Sequence, residues 1–225
     1  MTRNPLNWSD WESRFERFVA QTSSAGDVAH DLAHVHRVVV NAKWLAASEH
    51  AQLEIVLPAA WLHDCVAVPK YSRQRGTASA LAARTAGVFL RDSAYPAESI
   101  PSIEHAIEAH SFSAGVAPKT LEAMVVQDAD RIDALGAIGI ARALMLGGAM
   151  ERALYDLREP FPAARTPDDT IYVLDHFYVK LLKLADTMTT AAGRTEARRR
   201  TTFMHQYLQQ LYRDMRPDYK SKEHP

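Results

Sequence analysis

Apolar residues recur at helical spacing along nearly all of this 225-residue chain, and runs of alternating β-branched residues are almost absent. That periodicity restricts the fold to an all-α class. Trp11, Phe15, Phe18 and Val19 share one face of a first helix that starts near Trp8, with Ser9 or Asp10 as its cap. A second helix is expected from about Asp31 to Ser48, and a third from about Gln52 to Asp64 with Pro58 as a bend or as its true start. Helical pattern returns over 77–91 and 98–110, and again from near Pro118 toward Asp130, followed by a buried apolar helix within 132–150. Residues 159–169 form a proline-containing connector, and the tail reads as two long amphipathic helices broken around Ala192-Gly193.

The length suffices for a sizeable core and is read as one cooperative unit spanning 1–225. A formal charge of -1 gives no global sign of a nucleic-acid surface, so any attraction for phosphate has to be local. Cys65 is the only cysteine, which rules out an internal disulfide and thiolate zinc clusters and points to the cytoplasm. The apolar stretch from Ala134 to Met150 carries Arg142 and falls short of a membrane span.

Histidines and acids gather where expected helices end. One candidate among His30, His34 and His36 opens the second helix, and His63-Asp64 closes the third. A short connector makes these two helices antiparallel neighbours, so those ends meet. Mixed imidazole and carboxylate donors suit a divalent ion that keeps water bound. Between Cys65 and Gly76 the periodicity lapses into a basic loop holding Lys70, Arg73 and Arg75.

The stretch His30-Asp31-Leu32-Ala33-His34-Val35-His36-Arg37-Val38, then Trp61-Leu62-His63-Asp64, then Asp128-Ala129-Asp130-Arg131-Ile132-Asp133, resembles the HD-domain metal-dependent phosphohydrolase superfamily. More narrowly it is similar to the bacterial stand-alone HD-domain hydrolases. The likeness continues through Ala109-His110-Ser111-Phe112-Ser113, Pro69-Lys70 with Arg75 and Ser79, and His176-Phe177 with Lys180, covering the chain from about His30 to Tyr212. It implies an HD-domain helical bundle with additional C-terminal helices, the core over about 28–150 and the extension over about 151–216.

By that resemblance His34, His63, Asp64 and Asp130 are the ligands of one divalent ion (Mn, Mg, Fe, Ni, Co or Zn), with Asp128 and Asp133 kept as alternative acids. Asp31 is expected either to orient His34 or a bound water, or to serve as a helix N-terminal carboxylate. His110 is the candidate proton donor to a leaving group. Lys70, Arg75, Ser79, His105, His176 and Lys180 are the candidate phosphate and substrate contacts. Several branches of the superfamily place an acid soon after His-Asp, whereas here none follows until Asp92, so the base is either the metal alone or Asp31, Glu104 or Glu108. Cys65 is read as a packed thiol.

The function implied is hydrolysis of a small phosphorylated metabolite, a nucleotide, by release of pyrophosphate or by phosphatase action. No nucleic acid or membrane partner is expected. The rival reading is a nucleotide- or phosphate-binding module whose HD residues no longer turn over substrate.

Overall fold

The computed structural model describes residues 6–22, 31–66, 77–111 and 114–215. Among them nothing forms a strand beyond one isolated bridge between Ala153 and Tyr172, and the all-α class stands. The helices are α1 (Trp8–Thr22), α2 (Leu32–Glu49), α3 (Leu53–Leu62), α4 (Ala78–Asp92), α5 (Ile100–His110), α6 (Leu121–Asp133), α7 (Gly136–Ala149), α8 (Asp175–Val179) and α9 (Ala191–Met215), with a 3-10 turn over Leu181–Thr187. No single described helix is long and apolar enough to cross a membrane.

The chain divides into two compact units, Met1–Asp133 with Met188–Arg194, and Ala134–Thr187 with Thr195–Pro225. In the first, α6 packs against α2, α3 and α5, while α3 also meets α1 and α2. Leu57, Leu62, Ile103, Ile107 and Ile132 fill the space between these helices and are fully buried. Each such side chain contributes about 1.5–3 kcal/mol on leaving water, so the ends of these helices are held firmly. Trp11 and Phe15 of α1 stack on one another and meet Tyr95 and Phe89, as the apolar face of the first helix requires.

Pro58 lies inside α3, which begins at Leu53 rather than at the proline. A proline has no N–H for the carbonyl four residues back, here that of Glu54. The Tyr95 hydroxyl donates to that carbonyl at 2.6 Å, and Ser99 Oγ donates to the Glu54 carboxylate. The helix therefore runs through its proline with no orphaned acceptor.

The tail differs from expectation. Its first part is the short α8 and the 3-10 turn, and Ala192-Gly193 lies in the first turn of α9 rather than at a break. Asp128 of α6, fully buried, explains this: its carboxylate accepts from the amides and hydroxyls of both Thr189 and Thr190 at 2.7–3.1 Å. Thr190 Oγ in turn accepts from Gly193 N, and Glu49 accepts from Ala192 N. A Cβ at Gly193 would stand 2.4 Å from Asp128 Oδ2, so only glycine admits the clamp. Negative charge at the start of α9 also suits the helix dipole.

The second unit holds α7, whose fully buried positions are only Gly136, Gly139, Ile140 and Gly147, while Ile138 and Met145 are exposed. The expected buried helix is thus apolar on both faces but covered on one. Its contact face is the glycine stripe, where Val173 presses against Gly147. The connector is knitted by Arg165, which forks onto the buried Asp175 at 2.5 and 2.7 Å.

Replacing Asp128 by alanine strands the two threonine amides and is expected to lower stability by about 2–4 kcal/mol in chemical denaturation. A loss below about 1 kcal/mol would contradict the clamp.

Candidate metal centre

His34 lies in the first turn of α2, His63 and Asp64 directly follow α3, His110 ends α5 and Asp130 sits in the last turns of α6. The packing of α2 against α3 and α6 brings these ends together. His34 Nε2 stands 3.4 Å from His63 Nε2, 3.4 Å from Asp130 Oδ1 and 3.9 Å from Asp64 Oδ2. His63 Nε2 is 3.5 Å from Asp64 Oδ2, and His110 Nε2 is 3.5 Å from Asp64 Oδ1. Two overlapping groups of close donors result, His34 with His63 and Asp130, and His63 with Asp64 and His110.

The tautomers follow from the hydrogen bonds. His63 Nδ1 lies 2.8 Å from Ala60 O and His110 Nδ1 lies 2.6 Å from Ile107 O, and a carbonyl can only accept, so both rings carry their proton on Nδ1. His34 Nδ1 likewise faces the Asp133 carboxylate at 2.7 Å. With Nδ1 so engaged, the Nε2 lone pairs of His34 and His63 face one another, while His110 Nε2 faces the Asp64 carboxylate. Donors about 2.1 Å from a shared ion at tetrahedral angles stand about 3.4 Å apart. The separations fit a divalent cation at His34, His63 and Asp130, with Asp64 beside them at 3.9 and 3.5 Å from the two rings.

Electrostatics agrees with that fit. Burial pushes the His63 ring down to about 4, against the pull of Asp64, so it is a neutral ligand at physiological pH. Burial also lowers His110, but the hydrogen bond and charge of Asp64, with Asp130, outweigh it and leave that ring above its ordinary value. Burial raises the Asp130 carboxyl, yet His34, His63 and His110 prevail and keep it ionised to lower pH.

The remaining expected residues fall in several places. Asp31 is the N-cap of α2, its Oδ1 accepting from His34 N at 2.8 Å, so it holds the histidine through the backbone and the ring is oriented by Asp133 instead. Asp128 and Asp133 turn away from the centre, one to the tail clamp and the other to the outer side of His34. His105 Nε2 accepts from Lys119 N at 3.0 Å and ties a loop to α5. Glu104 is ion-paired with Arg91 on α4, away from the role of base. His176 and Lys180 belong to the second unit, where His176 Nδ1 bonds Asp169 at 2.8 Å. Lys70 and Arg75 lie outside the described residues. Ser79, in the first turn of α4, is buried with no hydrogen-bond partner for its hydroxyl. Burial, with Asp64 adding to it, pushes the Cys65 thiol up to about 12, as befits a packed and unreactive group.

Sequence reading passed over the pairing of Asp133 with His34. Its spacing, one helical turn beyond Asp130, marks a shared helix face without showing which side of the His34 ring the carboxylate meets. In metal-free protein the His63 ring is expected to stay neutral on acidification until the pH nears 4, as read from its ring nitrogen shifts by NMR. Protonation near the ordinary 6.5 would contradict its burial.

The chain is similar to known proteins over most of its length. A family model described as HD domain matches residues 31–135, a segment that contains His34, His63, Asp64, His110 and Asp130. The Bacillus subtilis protein YpgQ, described as uncharacterized, is 35% identical over 190 residues, spanning 83% of this chain and 84% of YpgQ. The crystal structure of Bacillus subtilis YpgQ in complex with ADP aligns with a TM-score of 0.70 at 33% identity, covering 91% of this chain and 97% of that one. A Bacillus thuringiensis HD-superfamily hydrolase aligns with a TM-score of 0.71 at 33% identity, covering 92% and 97%. The matched HD domain, the relative at 35% identity and the helical neighbour described as an HD-superfamily hydrolase show that the chain belongs to the HD-domain superfamily of hydrolases.

Proposed function

We propose that this protein is a divalent-metal-dependent phosphohydrolase acting on a nucleotide, with pyrophosphate release from a nucleoside or deoxynucleoside triphosphate as its leading reaction. The observation that carries this reading is the convergence of the Nε2 lone pairs of His34 and His63 on the carboxylates of Asp64 and Asp130. When bound there, a divalent ion supplies Lewis acidity toward a phosphoryl oxygen and lowers the pKa of a coordinated water. His34, His63, Asp64 and Asp130 are the residues to hold it.

His110 stands at the edge of this set, its Nε2 facing Asp64 Oδ1 at 3.5 Å. A proton held at that nitrogen is placed for delivery to a leaving oxygen, which makes His110 the proposed general acid. Lys70 and Arg75 are the proposed holders of the phosphates, a role that rests on the family resemblance. The buried hydroxyl of Ser79, without a hydrogen-bond partner among the described residues, supports a phosphate contact at that side chain, since a phosphate oxygen would satisfy it. The ADP held by YpgQ supports a nucleotide as the ligand class. The chain is proposed to work as one HD-domain unit with its C-terminal helices, and a lone buried cysteine supports a cytoplasmic setting.

The test is a panel of nucleoside mono-, di- and triphosphates incubated with protein and Mn or Mg, with orthophosphate and pyrophosphate assayed separately. Pyrophosphate and nucleoside monophosphate are expected from triphosphates, with activity lost on chelation and in His63→Ala. Orthophosphate alone would favour a nucleotidase. Stoichiometric bound metal with no turnover of any phosphate ester would contradict the enzyme and favour the binding module.

A further inference from the structure

We propose that Arg37 and Asp133 are positioning residues that fix the ring of His34 so that its Nε2 lone pair faces the metal. The inference rests on the metal-centre reading and adds to it two residues outside the ligand set. Asp133 is 1% exposed, and a carboxylate in such a place costs several kcal/mol unless charge and hydrogen bonds compensate it. Arg37 supplies both: Nε donates to Oδ1 at 2.7 Å and Nη2 to Oδ2 at 3.1 Å. Kept ionised in this way, the carboxylate can only accept, so the proton of His34 is held on Nδ1, 2.7 Å from Oδ2.

The arrangement repeats across two helices. From α2 come the ligand His34 and, three residues later, Arg37; from α6 come the ligand Asp130 and, three residues later, Asp133. Residues at that spacing lie one above the other on a helix surface. One level of the α2–α6 contact therefore carries metal donors and the next carries the ion pair that orients them. His63 and His110 are pinned differently, by backbone carbonyls of their own helices. Among these three rings only the His34 tautomer depends on a side chain, so it alone can be reversed by substitution.

Asparagine at 133 makes that reversal. Arg37 takes the amide oxygen, the amide N–H₂ is left facing His34 Nδ1, and the ring is driven to carry its proton on Nε2, where it blocks coordination. The experiment compares wild type, Asp133→Asn and Arg37→Gln by calorimetric titration of the metal-free proteins with Mn and by ¹⁵N NMR of the histidine rings. For Asp133→Asn a fall of about 10–100-fold in Mn affinity is expected, together with a switch of His34 from the Nδ1–H to the Nε2–H tautomer. A destabilised but correctly oriented site would not show the tautomer switch. Arg37→Gln is expected to keep the Nδ1–H tautomer and lose affinity by a smaller factor, and it serves also if Asp133→Asn fails to fold. Wild-type Mn affinity in both variants, or an unchanged His34 tautomer in Asp133→Asn, would overturn the inference. A wild-type protein with the Nδ1–H tautomer that takes up no Mn would instead overturn the metal centre itself, and the metal-facing role with it.

Discussion

Two imidazoles, His34 and His63, turn their Nδ1 protons outward, and their Nε2 lone pairs face the carboxylates of Asp64 and Asp130 across 3.4–3.9 Å. Such a grouping is electron-rich throughout: no donor lies between His34 Nε2 and His63 Nε2, and Asp64 and Asp130 add negative charge beside them. In a low-dielectric setting like groups repel strongly, and a divalent cation, as proposed, would convert that repulsion into coordination. The rest of the first unit can be understood as what keeps five side chains in so unfavourable an array before any cation arrives.

Helix ends do most of that work. The candidate site residues at the start of α2, just past α3, at the end of α5 and near the end of α6 are held by the backbone of these helix ends. Asp31 caps α2 at the amide of His34, and Tyr95 covers the carbonyl that Pro58 frees in α3. Asp128 gathers the threonines before α9 two residues away from the ligand Asp130, so the chain returning from the second unit braces the helix that carries the ligand. Removing any of these supports exposes unpaired backbone groups rather than a ligand, and its effect on the centre is indirect.

How much of this was legible in the sequence differs by residue. Helical periodicity located α1 through α6 to within a few residues, because each of these helices has an apolar face against a common core. His34, His63, Asp64 and Asp130 were legible through motif order, since the ends of α2 and α3 had to meet if their connector was short. In the tail, Gly193 carries the sequence signature of a breaker, whereas in the fold it makes room for a carboxylate sixty-five positions earlier in the chain. Asp133 was seen as a rival ligand because helix spacing gives the face but not which side of a neighbouring imidazole the carboxylate meets. For His105 and Glu104 the local pattern could not reveal partners as ordinary as a loop amide and a surface arginine.

Anomalous diffraction from crystals grown with Mn tests the centre most directly. A single strong peak within about 2.0–2.4 Å of His34 Nε2, His63 Nε2 and a carboxylate oxygen from each of Asp64 and Asp130 is expected. No peak among these atoms at saturating Mn, or one bound by only one of the two histidines, would contradict it.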